Sequence, residues 1–303
     1  MRGDGRLSFD GGQEMNSARA RRSCLYMPGA NAKALEKAKS LAADVLIFDL
    51  EDSVAPEAKE EARAQVAAAV KAGGYGNREI IVRVNGLTTP WGEADIAAAC
   101  LAGPHAILAP KIESGAQVAE LDAALTAAGL SGEAALWANI ETPRAILNLA
   151  DIAAAARSTR LAAFVMGLND LSKETRAQQK PGRAAFQAAL SFGVMAARAE
   201  KLAAIDGVFN DISDSTGFEA ECRQALEFGY DGKTLIHPSQ IETANAVFAP
   251  SAEAVAGARA IIAAFARPEN AGKGVIKVDG RMTELLHLEE AKRVVAVAEA
   301  IGA

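Results

Sequence analysis

The sequence predicts an α/β protein built as a (β/α)8 TIM barrel with a C-terminal helical extension. Three observations predict this fold. Short apolar segments alternate eight times with Ala-rich amphipathic segments. The short segments are apolar throughout, as expected for parallel strands that are buried on both faces. The length of 303 residues suits one large barrel, and eight strand–helix units are the number that closes it.

The predicted strands are short, and most of them run into polar residues at their carboxyl ends. They are SCLYMP (23–28), DVLIFDL (44–50), EIIVRVN (79–85), AILAPKI (106–112), ALWANIE (135–141), AAFVMGL (162–168), IDGVFND (205–211) and GKTLIHP (232–238). A doubly wound open sheet would usually need fewer units, and no GxGxxG motif follows any strand. We therefore expect a closed barrel.

Helical segments separate the strands and carry start or stop signals. PEAKEEARAQVAAAVKA (56–72) opens with Pro and Glu, which suit the first turn of a helix. GAQVAELDAALTAAG (115–129) ends in Gly, a common residue after a helix. After residue 248 the pattern becomes helix, Gly/Lys-rich β-like turn and helix. We expect a disordered tail at 1–20, the barrel at 21–248, and an extension or lid at 249–303. The extension is too small to fold alone, so it should pack on its own barrel or, as we expect, on a neighbouring subunit.

The composition limits the function classes. The net charge of −6 argues against a nucleic-acid partner, because phosphate binding favours a basic surface. No apolar run reaches the length of a membrane span, so we expect no membrane partner. The cysteines, Cys24, Cys100 and Cys222, form no CxxC pair, which favours a reducing cytoplasm over a disulfide framework.

Polar residues at the strand ends predict the site, since active sites of such barrels lie at that face. DVLIFDLEDSV (44–54) places Asp49, Glu51 and Asp52 after an apolar strand, and Glu141 and Asp170 follow later strands. Carboxylates without a His or Cys cluster suit Mg²⁺, with Mn²⁺ as an alternative ion. The isolated histidines argue against zinc.

Several of these polar residues could instead have a purely structural role. Glu141 and Asp170 could cap the helices that follow them, and Arg83 could be a buried ion-pair partner of the strand 2 carboxylates. Lys111 could form a Schiff base, although neighbouring carboxylates would hold it charged.

Three basic residues near the ends of the barrel segment also have two readings. His237 could be a satisfied loop histidine rather than a ligand. Lys33 and Lys37 share one helix face, which could be solvated or could anchor phosphates.

Several segments together resemble one family. RSCLYMPGANAKALEKA, DVLIFDLEDSVAPEAKEEAR, VRVNGLTTPWGEAD, PKIES, ANIETPRAILN, MGLNDLS, IDGVFNDISDSTGFEAECRQALEFGYDGKTLIHPSQIETANAVFAPS and GRMTELLH are similar to the citrate lyase β-subunit-like (CitE-like) CoA-ester lyases of the HpcH/HpaI aldolase superfamily. The resemblance runs from about residue 20 to the end. It implies a TIM barrel, Mg²⁺, a homotrimer or hexamer, and reversible Claisen-type cleavage of a 3-hydroxyacyl-CoA.

The resemblance also implies roles for individual residues. Glu141 and Asp170 would bind Mg²⁺, and Arg83 would bind the thioester carbonyl or the keto-acid carboxylate. Glu284, where related lyases often carry Asp, would reach into a neighbouring subunit's site as the base. The expected contacts with substrate or CoA are Tyr26, Lys33, Lys37, Ile236 and His237.

If Glu141 and Asp170 bind the metal, the segment DLED (49–52) would support the site without binding the ion directly. We expect Glu51, or Asp52 beside it, to orient Arg83 and metal-bound waters. Asp49 or Ser53 would then shape the turn into helix 2.

The predicted reaction is Mg²⁺-dependent cleavage of malyl-, methylmalyl- or citramalyl-CoA to acetyl- or propionyl-CoA and glyoxylate or pyruvate. Three alternatives remain: a malyl-CoA thioesterase, a class II aldolase acting on free pyruvate, and a non-catalytic CoA-thioester binder or acyl-carrier-dependent citrate lyase subunit. The extension favours a self-sufficient enzyme, because stand-alone citrate lyase β-subunits are expected to be shorter.

Overall fold

The computed structural model of the protein describes residues 19–302. The predicted tail at 1–20 therefore lies almost entirely outside the described residues. The described chain forms two compact units, one spanning Arg21–Phe248 and the other beginning at Ala249.

Eight parallel strands close into a barrel in sequence order, with the first strand paired to the eighth. This confirms the predicted (β/α)8 fold. The strands are β1 Ser23–Pro28, β2 Val45–Asp49, β3 Glu79–Arg83, β4 Ala106–Ala109, β5 Ala135–Ile140, β6 Leu161–Met166, β7 Ala203–Asp206 and β8 Gly232–Leu235.

Helices follow the strands, although several are short or divided. In the barrel unit they are α1 Ala32–Lys37, α2 Lys59–Ala72, α3 Gly92–Ala102, α4 Gly115–Ala127, α5 Pro143–Leu147, α6 Leu149–Ala154, α7 Leu168–Thr175, α8 Gln187–Ala199, α9 Ser215–Phe228 and α10 Ile241–Phe248. The Pro at position 56 begins a 3-10 turn before α2, in accord with its rigid φ angle.

The strand residues alternate between two apolar cores. Ile47, Ile81, Leu108 and Trp137 fill the inside of the barrel. The intervening residues, such as Leu46 and Phe48, pack with apolar residues of the surrounding helices. Burial on both faces explains why the strands are recognisable as continuous apolar runs.

Three predicted strands, the fourth, seventh and eighth, extended three or more residues too far at their carboxyl ends. β4 stops at Ala109, because Pro110 follows and Lys111 has a left-handed φ of 51°. β7 begins at Ala203, earlier than predicted, and β8 ends at Leu235. The polar residues that these three predictions included beyond the strand ends, such as Lys111 and His237, belong to loops.

Strand register determines which side chains meet at that mouth. Asp49 of β2 lies opposite Arg83 of β3. The register between β5 and β6 shifts at Leu136 and Trp137, so that Ile140 pairs with Met166. This shift brings Glu141, the next residue, beside Gly167.

A buried charge network joins β7 and β8 to the surrounding elements. Lys233 is fully buried, and its Nζ lies 2.7 Å from both Asp206 Oδ2 and Glu221 Oε1. Arg183 Nη1 donates to both oxygens of Asp206 at 2.8 Å. Burial acts to raise the pKa of Asp206, but Lys233 and Arg183 lower it below its ordinary value.

The second unit contains α11 (Ala252–Phe265), an antiparallel hairpin of β9 (Val275–Val278) and β10 (Arg281–Glu284), and α12 (Leu285–Ala300). The predicted order of helix, β-like turn and helix is confirmed. Its packing on a neighbouring subunit stays a prediction.

In the described part of the chain, no single helix has both the length and the apolar character needed to cross a membrane. One bent pair of helical segments, Pro238–Phe248 with Ala252–Phe265, meets these two criteria by length and composition alone.

We expect Lys233→Met to lower the free energy of unfolding by about 3–5 kcal/mol, because the change leaves a buried carboxylate without one of its cations. Urea denaturation measures the effect. Lys71→Met is the control, since Lys71 is exposed at the end of α2 and should change stability by less than about 0.5 kcal/mol. Equal stability of the two variants would show that the network does not support the fold.

Candidate active site

Arg83 and Asp49 form the central ion pair of the barrel mouth. Arg83 Nε donates to Asp49 Oδ1 at 2.6 Å, and Nη2 donates to Oδ2 at 2.7 Å. Both side chains are buried, with 9% and 2% of their area exposed. Burial acts to raise the pKa of Asp49, but Arg83 and hydrogen bonds from Ser53 and Glu51 lower it. The pair is therefore charged and holds the guanidinium in one orientation.

Glu51 lies between two cations. Its Oε2 is 2.8 Å from Arg83 Nη1, and its Oε1 accepts a hydrogen bond from Lys111 Nζ at 3.1 Å. The Arg83 contact is short, but Oε2 has no partner in hydrogen-bond geometry. Burial raises the pKa of Glu51, and the nearby charge of Asp52 raises it further. Arg83 and Lys111 act in the opposite direction. Oε2 therefore remains an acceptor that a donor or a cation could use.

Lys59 fixes the loop that carries Glu51. Its buried Nζ donates to the carbonyl oxygens of Leu50 at 2.8 Å and Glu51 at 2.7 Å, and to Asn85 Oδ1 at 2.8 Å. The Asn85 amide in turn donates to the Leu50 carbonyl and to Asp95. The segment is therefore held from α2, β3 and α3 together.

Tyr26 of β1 lies against the same guanidinium. The Arg83 Cζ is 4.7 Å from the centre of the Tyr26 ring, a cation–π distance. Burial raises the pKa of Tyr26, although Arg83 acts in the opposite direction. The phenol is therefore neutral near pH 7, and its ring supports the guanidinium from one side.

Glu141 is a buried carboxylate at the end of β5, with 2% of its area exposed. Its Oε1 accepts from the Lys111 backbone N–H at 2.7 Å, and its Oε2 accepts from Asn139 Nδ2 at 3.1 Å. Burial and the charge of Glu51 raise its pKa to about 7, against the effects of Lys111 and Arg83. A Cβ on Gly167 would lie 2.3 Å from the Glu141 Cβ, so only glycine leaves room for this carboxylate.

Asp170 belongs to the first turn of α7 and is half-buried. It contributes to the electrostatic environment of Lys111, together with Glu51 and Glu141. The N-cap of α7 is Gly167, and no side chain caps that helix end. Thr142 caps α5 instead of Glu141, since its side chain accepts from the Ala145 N–H. The capping readings of Glu141 and Asp170 are therefore wrong.

The donor set fits a hard divalent cation held by few protein ligands. Within residues 19–302, no group of three or more His, Cys, Asp or Glu side chains is arranged to hold a metal. Mg²⁺ needs fewer, because it commonly takes one or two carboxylates and completes its shell with water and substrate oxygens. Two buried acceptors, Glu51 Oε2 and Asn139 Oδ1, have no hydrogen-bond partner. Glu141 and Asp170 with these oxygens nearby are compatible with Mg²⁺, and their roles as ligands stay predictions.

The Schiff-base reading of Lys111 is not supported. Burial alone would lower its pKa, but Glu51 and Glu141 outweigh burial and raise it. A lysine that forms a Schiff base must instead be neutral at working pH.

The predicted CoA contacts lie around the first and last strands. Lys33 and Lys37 are exposed on α1, which supports either a solvated face or a phosphate anchor. Ile236 is 41% exposed after β8. His237 begins the following 3-10 turn, and its Nδ1 lies 2.8 Å from Ser239 Oγ, as a loop histidine would. Their contacts with CoA stay predictions.

Glu284 belongs to the second unit, where it is exposed and begins α12. Its backbone N–H donates to His287 Nδ1 at 3.0 Å. The predicted action in the site of another subunit is not tested by this geometry.

Three carboxylates share the orientation of Arg83. Glu51 and Asp52 contact its Nη1 at 2.8 Å and 3.3 Å, in accord with the expectation for these two residues. Asp49 accepts from the backbone of the following turn, as expected, and also holds the guanidinium with two hydrogen bonds, which was not expected. Lys59 and Gly167 were not identified. No sequence signal marks a lysine in a helix as buried, but the glycine after β6 could have indicated a close approach to a neighbouring strand.

Comparisons with known proteins identify the family. Residues 22–238 match the family described as HpcH/HpaI aldolase/citrate lyase, and residues 184–303 match the C–C bond lyases of the TIM-barrel fold. The (3S)-malyl-CoA thioesterase of Cereibacter sphaeroides is 48% identical over 282 residues, covering 93% of this chain and 96% of the relative. Citrate lyase subunit beta of Leuconostoc mesenteroides is 35% identical, covering 94% and 96%.

A solved structure extends the comparison to ligands. The CitE protein of Mycobacterium tuberculosis, in complex with magnesium, acetoacetate and coenzyme A, superposes with a TM-score of 0.72 at 29% identity, covering 93% of this chain and 99% of that one. The citrate lyase β-subunit of Leuconostoc mesenteroides is as long as the present chain, so the presence of the extension does not by itself exclude such a subunit. The sequence, the barrel and both family matches agree: this protein is an enzyme of the HpcH/HpaI aldolase/citrate lyase family.

Proposed function

We propose that this protein hydrolyses a malyl-CoA-type 3-hydroxyacyl-CoA thioester in a Mg²⁺-dependent reaction. The 48% identity to a malyl-CoA thioesterase over 93% of the chain carries this proposal. Water would add at the thioester carbonyl, and the C–S bond would break to give malate and CoA. This favours the thioesterase alternative over the lyase that the sequence first indicated.

Arg83 is suited to the charge that develops in this reaction. The carbonyl oxygen becomes negative when water adds, and a preorganised guanidinium lowers the energy of that state. Arg83 has five N–H donors, of which Asp49 takes two. Others remain to be shared between the neighbouring carboxylates and a substrate oxygen. The fixed orientation means that little reorganisation is needed when the charge appears.

Glu141 and Asp170 are the proposed Mg²⁺ ligands. When bound, the ion would act as a Lewis acid and orient the hydroxyl and carboxylate oxygens of the acyl group. The Lys111 N–H and the Asn139 amide hold the two oxygens of Glu141 in place. Burial of Glu141 limits access of water to this side of the site.

Cleavage of the C–C bond is the second candidate. The citrate lyase β-subunits among the relatives and the C–C bond lyase match favour it. A base would take the hydroxyl proton of the 3-hydroxyacyl-CoA as that carbon becomes the aldehyde of glyoxylate and the carbon–carbon bond breaks. The thioester half would leave as an enolate, and a proton returned to its carbon would give acetyl-CoA. Arg83 could stabilise that enolate through the same oxygen.

Glu284 is the proposed base, acting from the extension of a neighbouring subunit in a homotrimer or hexamer. In the condensation direction it would remove the α-proton of the thioester, and in hydrolysis it could take a proton from the attacking water. Its exposure and its position at the start of α12 leave the carboxylate accessible for such a role.

A product assay decides between the two reactions. Purified protein is incubated with malyl-CoA, with and without Mg²⁺, and malate, free CoA, acetyl-CoA and glyoxylate are quantified. We expect malate and CoA in equal amounts, with loss of turnover after metal removal. Acetyl-CoA with glyoxylate would establish the lyase instead. No turnover of malyl-, methylmalyl- or citramalyl-CoA would support the non-catalytic alternative.

In the same assay, Arg83→Lys should lose about 10²–10³-fold in kcat, because lysine cannot make the paired hydrogen bonds by which the guanidinium is held to Asp49.

Gly167→Ala should weaken Mg²⁺ binding by about 10- to 100-fold, because the added methyl displaces the Glu141 carboxylate. Calorimetric titration of Mg²⁺ measures this effect. Gly132→Ala is the matched control, since its Cβ would meet nothing within 4 Å. Unchanged affinity in Gly167→Ala would argue against Glu141 as a ligand.

Glu284→Gln tests the proposed base. The variant should lose about 10²-fold or more in kcat while Mg²⁺ affinity stays unchanged, because the base does not bind the ion. Glu253→Gln, an exposed change in α11 of the same unit, should retain normal turnover. Full activity of Glu284→Gln would remove the residue from the mechanism.

A further inference from the structure

Lys111 has an unusual backbone conformation at the mouth of the barrel. It follows β4 and Pro110, and its φ of 51° lies in the left-handed region, which is unfavourable for residues other than glycine. This conformation directs its backbone N–H to Glu141 Oε1 at 2.7 Å. The bond to a buried carboxylate offsets the backbone strain.

The side chain of Lys111 reaches a second carboxylate on another strand. Its Nζ lies 3.1 Å from Glu51 Oε1, so the side chain crosses from β4 towards β2, past Arg83 on β3. The ammonium also lies within the electrostatic influence of Glu141 and Asp170. A positive charge therefore occupies the cluster that we propose to bind a metal.

Lys111 differs from the other cations near Glu51 in its freedom to move. Arg83 is fixed by two hydrogen bonds to Asp49 and is 9% exposed. Lys59 is buried and donates to two backbone carbonyls. The Lys111 side chain is 46% exposed, and its ion pair with Glu51 is longer. Its ammonium can therefore leave the carboxylates and turn towards an incoming anion.

We propose that Lys111 is an internal counter-ion that competes with Mg²⁺ for the carboxylates of the mouth and couples metal binding to the arrival of the anionic substrate. This inference rests on the proposed Mg²⁺ site. In the free protein, the ammonium lowers the negative potential that attracts the ion. When an anionic acyl group binds, the ammonium pairs with it, and the repulsion between ammonium and metal is reduced. Metal and substrate thus bind more tightly together than separately.

Substitution of Lys111 by a neutral residue should change the Mg²⁺ affinity in the opposite direction from the loss of a structural contact. Removal of a positive charge beside a cation site should strengthen cation binding, whereas loss of a structural contact should weaken it. The Glu141 contact uses the backbone of Lys111, so a side-chain substitution leaves that hydrogen bond available.

The test is calorimetric titration of Mg²⁺ into the full-length protein without substrate. Lys111→Met should bind Mg²⁺ roughly fivefold tighter or more, and Lys111→Arg should resemble wild type, because it keeps the charge. The difference should shrink at high salt. Lys71→Met removes the same charge from the far end of α2 and should leave the affinity unchanged. Lys111→Gln is a second neutral variant in case Lys111→Met does not fold.

A second titration in saturating malate tests the coupling. Malate should raise the Mg²⁺ affinity of the wild-type protein by more than that of Lys111→Met. Weaker or unchanged Mg²⁺ binding in both neutral variants, or equal effects of malate, would overturn the role of Lys111 while leaving the metal site intact. No Mg²⁺ binding to wild type, with or without malate, would overturn both the metal site and this inference.

Discussion

The barrel mouth depends on the ion pair between Asp49 and Arg83. The pair exists because the β2–β3 register places the two residues opposite each other at the last position of their strands, both facing inward. Either charge alone would be costly to bury, so each requires the other. With the guanidinium fixed, Glu51 and Asp52 lie against its remaining nitrogen, and Tyr26 covers one side. The orientation of the guanidinium, and of the side chains that contact it, follows from this one ion pair.

Three cations then divide the task of compensating an excess of carboxylates. Arg83 is committed to Asp49 and is preorganised for a developing oxyanion. Lys59 places a positive charge beside the loop that carries Glu51, and it holds two backbone carbonyls of that loop. Lys111 is the most exposed of the three, and its ammonium contacts Glu51. A site built only from fixed pairs would leave little negative potential for a divalent ion, whereas a movable ammonium lets that potential depend on what is bound.

The sequence predicted the barrel well because parallel strands buried on both faces are continuous apolar runs. It also located the polar strand ends, since polar residues cannot continue such strands without partners. It did not distinguish Asp49 from Glu51 as the main partner of Arg83, because residues two apart share one face of a strand. The choice depends on where β2 ends, and Asp49 is its last residue and lies opposite Arg83. The close contact of Gly167 with Glu141 depends on the register shift between β5 and β6, which spacing alone does not reveal. The proposed action of Glu284 would require a second subunit, and residue spacing within one chain does not predict which groups that subunit brings near it.

Hydrolysis and carbon–carbon cleavage place negative charge on the same thioester oxygen, so the proposed contact with Arg83 would serve both reactions and would not select one of them. The presence of the extension does not choose either, because the citrate lyase β-subunit matches this chain over 94% of its length. The choice must therefore lie in which proton acceptor and which water reach the thioester. A base that is one methylene longer than Asp, such as Glu284, could accept a proton from water at a distance where the shorter residue would not. Exclusion of water would favour the enolate, and an ordered water beside the carbonyl would favour hydrolysis. In both proposed mechanisms the charged groups of the mouth would have the same positions, and the access of one water molecule would decide between the two reactions.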